Sequence, residues 1–296
     1  MTRMLYRVAG HLLCVEVKNC ADGENLFPSF APFALTEQPE AEEPVLHVTL
    51  DDAFEPATDG KDLGEFESGD STHHLLQQPD GGYQIMVYNV QHTLCSVMQC
   101  SPDFGKCTVA LKTDVPALRS FGLGNCMMIA FAFSTLPQDT LLMHASVIRK
   151  DGRGYLMTAP SGTGKSTHTY LWYKNIPGCD LMNDDNPVVR VIGGKAYVYG
   201  SPWSGKTPCY RNVSAPIGAI VRIQQRPRNE IRPMNPVESL ATLLSQVSSM
   251  KWDKGVYHRV CQTISKVLAC TPMYELGCLP DADAARLCYE TVSQPG

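Results

Sequence analysis

Residues Ala159-Pro-Ser-Gly-Thr-Gly-Lys-Ser166 follow the apolar stretch Tyr155-Leu156-Met157 and lead directly into a helix-like run. This segment constrains the chain more than any other. It matches the pattern small-x-x-x-x-Gly-Lys-Ser/Thr, with Ala159 where glycine is usual. Gly162 and Gly164 let backbone N–H groups turn inward around an anion. Lys165 adds a point charge for the outer phosphates, and Ser166 offers a hydroxyl to Mg²⁺. The expectation is a nucleotide-phosphate loop whose contacts are Ser161, Gly162, Thr163, Gly164, Lys165, Ser166 and Thr167. The bland alternative is a tight strand–helix turn with a snorkelling lysine.

A chain of 296 residues holds one large or two modest domains. Its residues are 44% hydrophobic and 19% charged, an ordinary globular balance that argues against wholesale disorder. A formal net charge of −5 implies no large basic face, so nucleic acid is not expected as a partner. The longest uncharged apolar run, Cys126 to Leu136, is too short to span a bilayer, so no membrane association is expected. The N-terminus reads as a strand rather than a signal peptide, and a cytoplasmic location follows as an expectation. Twelve cysteines lie scattered without a Cys-x-x-Cys pair, which predicts reduced thiols packed as small hydrophobes, among them Cys14, Cys126 and Cys288. No zinc site is expected.

Alternating apolar and polar residues predict strands at Leu5 to Val17, Pro44 to Leu50, Tyr83 to Tyr88 and Cys107 to Lys112. Acidic or Gly/Pro-rich connections separate them, including Asp51 to Gly69 and the hairpin turn Pro79-Asp80-Gly81-Gly82. An N-terminal β-rich region is therefore drawn over residues 1–112, and a second domain over 113–296. In the latter a helix is expected from Pro116 to Leu136, then strands at Thr140 to Arg149 and Tyr155 to Ala159. The helix after the glycine-rich loop spans Lys165 to Lys174. Strands follow at Asp180 to Asn183, Pro187 to Ile192, Lys195 to Tyr199 and Ile217 to Gln224. Helices at Pro236 to Ser248, Tyr257 to Leu268 and Asp281 to Val292 complete the reading, with a strand at Met273 to Leu276.

Asn183-Asp184-Asp185-Asn186 ends a short apolar strand about twenty residues after the lysine. Two adjacent carboxylates suit phosphoryl transfer: one can hold Mg²⁺ across from Ser166, and the other can take a proton from an attacking hydroxyl. A polar turn is the alternative. His144 lies in the strand Leu141 to Val147, either as a core residue or facing the loop. Gly200 to Lys206 is turn-rich, and Lys206 or Arg211 is a candidate phosphate contact. Arg222, Arg226, Arg228 and Arg232 read as a solvated strand and loop, or as a docking edge for an acidic peptide.

Taken together, His144, Gly152-x-Gly154, the loop Ala159 to Ser166 and Asp184-Asp185 resemble the kinase domain of bacterial HPr kinase/phosphorylase. They are more specifically similar to the HPr-kinase-related proteins encoded beside peptide-modification genes. Ser201-Pro-Trp-Ser-Gly-Lys206 and Asn229 add to the likeness, which covers roughly residues 139 to 235. It implies an α/β fold of mixed α+β character, shared with phosphoenolpyruvate carboxykinases, in which helices flank a twisted mixed β core around the phosphate loop. It also implies ATP and Mg²⁺ as cofactors, and a protein or peptide serine as acceptor. By the same resemblance Lys165 contacts the outer phosphates, Ser166 and Asp185 hold Mg²⁺, and Asp184 is the general base with His144 beside it. The long glycine-rich segment that HPr kinases carry after the Asp pair has no counterpart here, so HPr itself is not the expected acceptor.

Two other readings stay open: a phosphoenolpyruvate carboxykinase-like enzyme acting on a small carboxylic acid, and a non-catalytic nucleotide-binding module of a peptide-modification system. The sequence leaves the acceptor, the nucleotide preference and self-association as a homo-oligomer open.

Overall fold

In the computed structural model, which describes residues 2–37, 39, 42–205 and 207–294, the chain is mixed α/β and divides into two compact units, Met1–Thr135 and Leu136–Gly296. The boundary lies later than the one drawn from sequence. The long apolar helix after residue 112 spends its buried face on the strands of the first unit and so belongs with them.

The first unit is an eight-stranded sheet. Its strands are β1 (Thr2–Val8), β2 (His11–Asn19), β3 (Leu46–Asp51), β4 (Lys61–Ser68), β5 (Ser71–Gln77), β6 (Tyr83–Asn89), β7 (Leu94–Cys100) and β8 (Lys106–Leu111). Their order is β1-β2-β3-β8-β7-β6-β5-β4. The single strand expected over Leu5 to Val17 is a hairpin instead, because Ala9 and Gly10 adopt φ of 50° and 82° and turn the chain. Helix α1 (Pro116–Ser134) buries Leu123, Cys126, Met127, Ala130 and Phe131. By length and composition α1 is apolar enough to cross a membrane, but here it packs on β6, β7 and β8. Arg119 at its start donates to both Asp22 and Asp52, at 2.6 and 2.7 Å. All twelve cysteines are free thiols, and burial pushes the Cys126 thiol up to about 12, so it packs as a neutral group.

The second unit is built on a nine-stranded sheet. In chain order its elements are β9 (Thr140–Leu142), β10 (Ala145–Lys150), β11 (Arg153–Thr158), α2 (Lys165–Asn175), β12 (Asp180–Asp185), β13 (Val188–Ile192), β14 (Lys195–Tyr199), β15 (Ser214–Gln225), β16 (Glu230–Pro233), α3 (Pro236–Leu244), α4 (Lys254–Cys270), β17 (Met273–Cys278) and α5 (Ala282–Val292). The main path runs β12-β10-β11-β15-β14-β13-β9, with β17 and β16 branching from β15. The twelve-residue β15 serves two sheet arms at once: Ser214 to Pro216 pair with β14, and Ile220 to Gln225 pair with β17. One face of the β12–β10–β11–β15 arm carries α2 and α5 through Trp172, Ile176, Ala284 and Cys288. The other face folds over β13 and β14 and is closed by α3 and α4. Gly154 permits that fold, since a Cβ there would lie 2.4 Å from Val198.

The expected strand Thr140 to Arg149 is two strands. β9 joins β13 and β10 joins β11, and the break falls at Met143-His144. His144 is therefore not mid-strand: its N–H donates to Gln246 O at 2.6 Å, tying the break to the segment after α3.

Candidate functional site

β11 and β12 both run antiparallel to β10, so they run parallel to each other and end on the same edge of the sheet. The loop 159–164 leaves one end and Asp184-Asp185 terminates the other. Ser146 holds this edge together, pairing in register with Met157 and with Asp184. Its Oγ also lies 2.9 Å from Thr169 Oγ1, which pins α2 to β10.

Gly162 and Gly164 adopt φ of 77° and 118°, values that L side chains rarely hold. No atom lies within 4 Å of where a Cβ would stand at either glycine. The strand thus turns into α2 with open space beside both glycines, and the first N–H groups of α2 have no acceptor within the helix. Ser161, Gly162, Ser166 and Thr167 are exposed, and Thr163 and Gly164 are half-buried. Thr163 O accepts from Gln225 Nε2 at 3.1 Å, so the end of β15 braces the loop.

Lys165 is buried, at 8% exposure. Its ammonium donates to Ala159 O at 2.9 Å and to His144 Nε2 at 2.8 Å. Because an ammonium only donates, Nε2 is the accepting nitrogen, and Nδ1 carries the ring proton toward Asp185 Oδ1 at 3.1 Å. Burial holds the Lys165 ammonium below its ordinary value, opposed by the nearby Asp185 and Asp184 carboxylates. Ser166 Oγ donates to Asp184 Oδ1 at 2.8 Å. The pairing is thus crossed relative to the sequence reading. His144 sits with Asp185 rather than Asp184, and Ser166 sits with Asp184 rather than Asp185. The register of the strand end decides this, because successive side chains point to opposite faces.

Asp185 itself adopts a φ of 138°. Such a conformation in a non-glycine residue persists only where its surroundings enforce it. Here they do. Asn183, fully buried, donates to Ser201 Oγ at 3.1 Å and to Trp203 O at 3.0 Å, and accepts from Asn186 N at 3.0 Å. Asn186 Nδ2 donates to Asp185 Oδ2 at 2.7 Å. Gly205 N and Ser204 Oγ both donate to Asp184 O. A Cβ at Gly205 would crowd Asp185 Cβ at 3.1 Å. The turn-rich segment after β14 therefore clamps the carboxylate pair. Asn183, Ser201 and Ser204 were visible in sequence as turn formers, but their role as a clamp was not.

Arg211 is not brought to the loop. It pairs with Asp180 at 2.7 Å and donates to Leu181 O, at the far end of β12. At about 3.3 Å per residue that lies ~17 Å from Asp185 along the strand. Lys206 lies outside the described residues. The arginine cluster is the solvated strand and loop expected, with its charges engaged by neighbouring carboxylates. Arg222, Arg226 and Arg232 converge on Glu275, at 3.6, 3.5 and 3.2 Å, and Arg228 pairs with Glu230 at 3.2 Å.

No known protein-family model matches the chain, and no curated protein does. Among solved structures it is similar to the Hpr(Ser) kinase/phosphatase from Coxiella burnetii, at 12% identity and a TM-score of 0.30. That match covers 52% of this chain and 99% of the other.

Proposed function

We propose that the chain is an ATP- and Mg²⁺-dependent kinase that transfers the terminal phosphoryl group to a serine hydroxyl of a protein or peptide. The observation that carries this reading is the linked set Lys165–His144–Asp185 and Ser166–Asp184 at the mouth of an open, glycine-turned loop. The open space at Gly162 and Gly164 has room for phosphate oxygens. The oxygen donors Ser166 and Asp184 suit a hard cation such as Mg²⁺. When bound, Mg²⁺ neutralises charge on the transferring group, which is what a loose phosphoryl-transfer transition state demands.

The chain's own residues supply the rest. Lys165 places one positive charge at the outer phosphates. Asp184, bonded to Ser166, is the metal-side carboxylate. Asp185 is the more exposed of the two, and we assign it to hold and then accept the acceptor's proton. His144 orients Asp185 through Nδ1–H while its Nε2 receives Lys165, so one imidazole sets the spacing of cation and base. This exchanges the roles that the family resemblance gives Asp184 and Asp185.

The test is mass spectrometry of serine-containing peptides incubated with the protein, ATP and Mg²⁺, alongside calorimetry of ATP binding. A gain of one phosphoryl group on serine supports the reading. Absence of Mg²⁺-dependent ATP binding removes it.

A further inference from the structure

Beside the loop, on the side away from α2, lies a cleft of about 360 Å³ whose lining includes Ala159, Pro160, Arg222, Glu238, Ala241 and Gln246. We propose that this cleft is the acceptor subsite: it seats an extended serine-containing peptide segment, and Gln246 Oε1 accepts a backbone N–H from it. The inference rests on the kinase reading above and names the part of the site that reads the acceptor.

The lysine of such a loop reaches the outer phosphates. Lys165 Nζ lies 2.9 Å from Ala159 O, and Ala159 lines the cleft. The cleft therefore begins at the terminal-phosphoryl end of the loop, where an attacking hydroxyl must arrive, and not at the nucleoside end. Gln246 is also tied to the reacting groups, since its carbonyl receives the N–H of His144, whose ring holds Asp185.

The cleft also holds an unpaired acceptor. Gln246 is 8% exposed, and its Nε2 donates to Ser245 Oγ at 3.0 Å. Its Oε1 is buried and has no hydrogen-bond partner among the described residues. A dry, unmatched acceptor is unfavourable, and a turn of the Gln246 amide toward the cleft it lines would bring Oε1 to a ligand N–H.

Charge and size then select the ligand class. Arg222 faces Glu275, and Glu238 is held by Arg232 at 3.0 Å, so the two charges of the cleft are already matched within the protein. What remains is small apolar surface and hydrogen-bonding groups, which suits a neutral main chain better than an anion. The volume is at the low end of ligand clefts (about 300–1,000 Å³), enough for a short extended segment. In the reaction the serine Oγ forms a bond to the terminal phosphorus. The bond from that phosphorus to the β–γ bridging oxygen breaks, the nucleoside diphosphate keeps that electron pair, and the hydroxyl proton moves to Asp185.

Two variants test the assignment. Ala241 is exposed on α3, so Ala241→Trp fills the cleft without touching the core. Gln246→Leu removes the acceptor atom at similar volume. Both are compared with the unmodified protein for Mg²⁺-dependent binding of ATP and of tripolyphosphate by calorimetry. They are then compared for phosphorylation of a random serine-centred peptide library, read by mass spectrometry. The expected result is that A241W binds ATP within about twofold of the parent yet marks library peptides at least about tenfold more slowly. Q246L should raise KM for a library-selected peptide about tenfold with little change in kcat. The subsite is overturned if A241W phosphorylates the library at the parental rate. It is equally overturned if A241W weakens ATP but not tripolyphosphate, which would give the cleft to the nucleobase, or if the parent binds ATP and marks no peptide. Failure of the parent to bind ATP at all would instead sink the kinase reading.

Discussion

Lys165 Nζ stands 2.8 Å from His144 Nε2, and the opposite nitrogen of the same ring stands 3.1 Å from Asp185 Oδ1. One imidazole thus joins the cation that meets phosphate to the carboxylate assigned to take the proton. Lys165→Ala removes the charge at the outer phosphates while leaving the strand and helix in place. The expected result is a rise of at least about 100-fold in the Kd for Mg·ATP by calorimetry, roughly the strength of two charge-assisted hydrogen bonds. Unchanged affinity would show that Lys165 does not face the nucleotide.

The crossed pairing separates the two aspartates. Asp184→Asn should weaken the Mg²⁺ dependence of ATP binding, because Ser166 is left without its carboxylate partner. Asp185→Asn should leave that binding near parental and lower the transfer rate by about 10²–10⁴-fold, as expected when a general base is lost. Single-turnover kinetics beside calorimetry distinguish the two. The reverse pattern would restore the roles implied by the family resemblance.

Asn183 organises the clamp on the carboxylates from a fully buried position, with bonds to Ser201, Trp203 and Asn186. Asn183→Leu keeps the volume but strands several of those partners. A loss of about 3 kcal/mol of stability follows from one or two buried groups left unpaired, measured by urea unfolding. Transfer activity should fall further than stability alone explains, since Asp185 would relax from its φ of 138°.

His168 lies buried on α2, where its Nε2 accepts from Trp172 Nε1 at 3.1 Å. Burial pushes its pKa from 6.5 down to about 4. The unfolded chain then binds a proton between those values while the folded chain does not. Stability is fully present above about pH 6.5 and is lost as the pH falls toward about 4, by up to about 3 kcal/mol. His168→Gln keeps an acceptor for Trp172 and should flatten this slope in thermal melts at pH 4 to 7. An unaltered slope would place the responsible group elsewhere.

Much of the second unit was legible from residue pattern. The helix 165–175, the strands 188–192 and 195–199 and β17 all lie where residue periodicity puts them. The strands β4, β5 and β7 were not legible. β4 carries charged and polar residues on an exposed sheet edge and reads as a linker until it is paired with β5. The break at Met143-His144 was hidden too, because Leu141 to Val147 is apolar apart from His144 and Ser146, with no glycine or proline to mark where one strand leaves for β13 and the next for β11. Arg211 was misplaced for a related reason. Nearness in sequence to the Ser201-to-Gly205 turn says nothing about which end of β12 a flexible cation will reach.

By itself the sequence determined the loop, because only glycine takes the left-handed turns at 162 and 164 at little cost, and only a strand-to-helix step aims their N–H groups at an anion. It likewise supplied two carboxylates at a strand end. Which carboxylate meets Ser166 and which meets His144 was decided by tertiary structure alone. Strand pairing fixes the face each side chain occupies, and a buried clamp some twenty residues downstream holds Asp185 in a backbone conformation that local preference would reject.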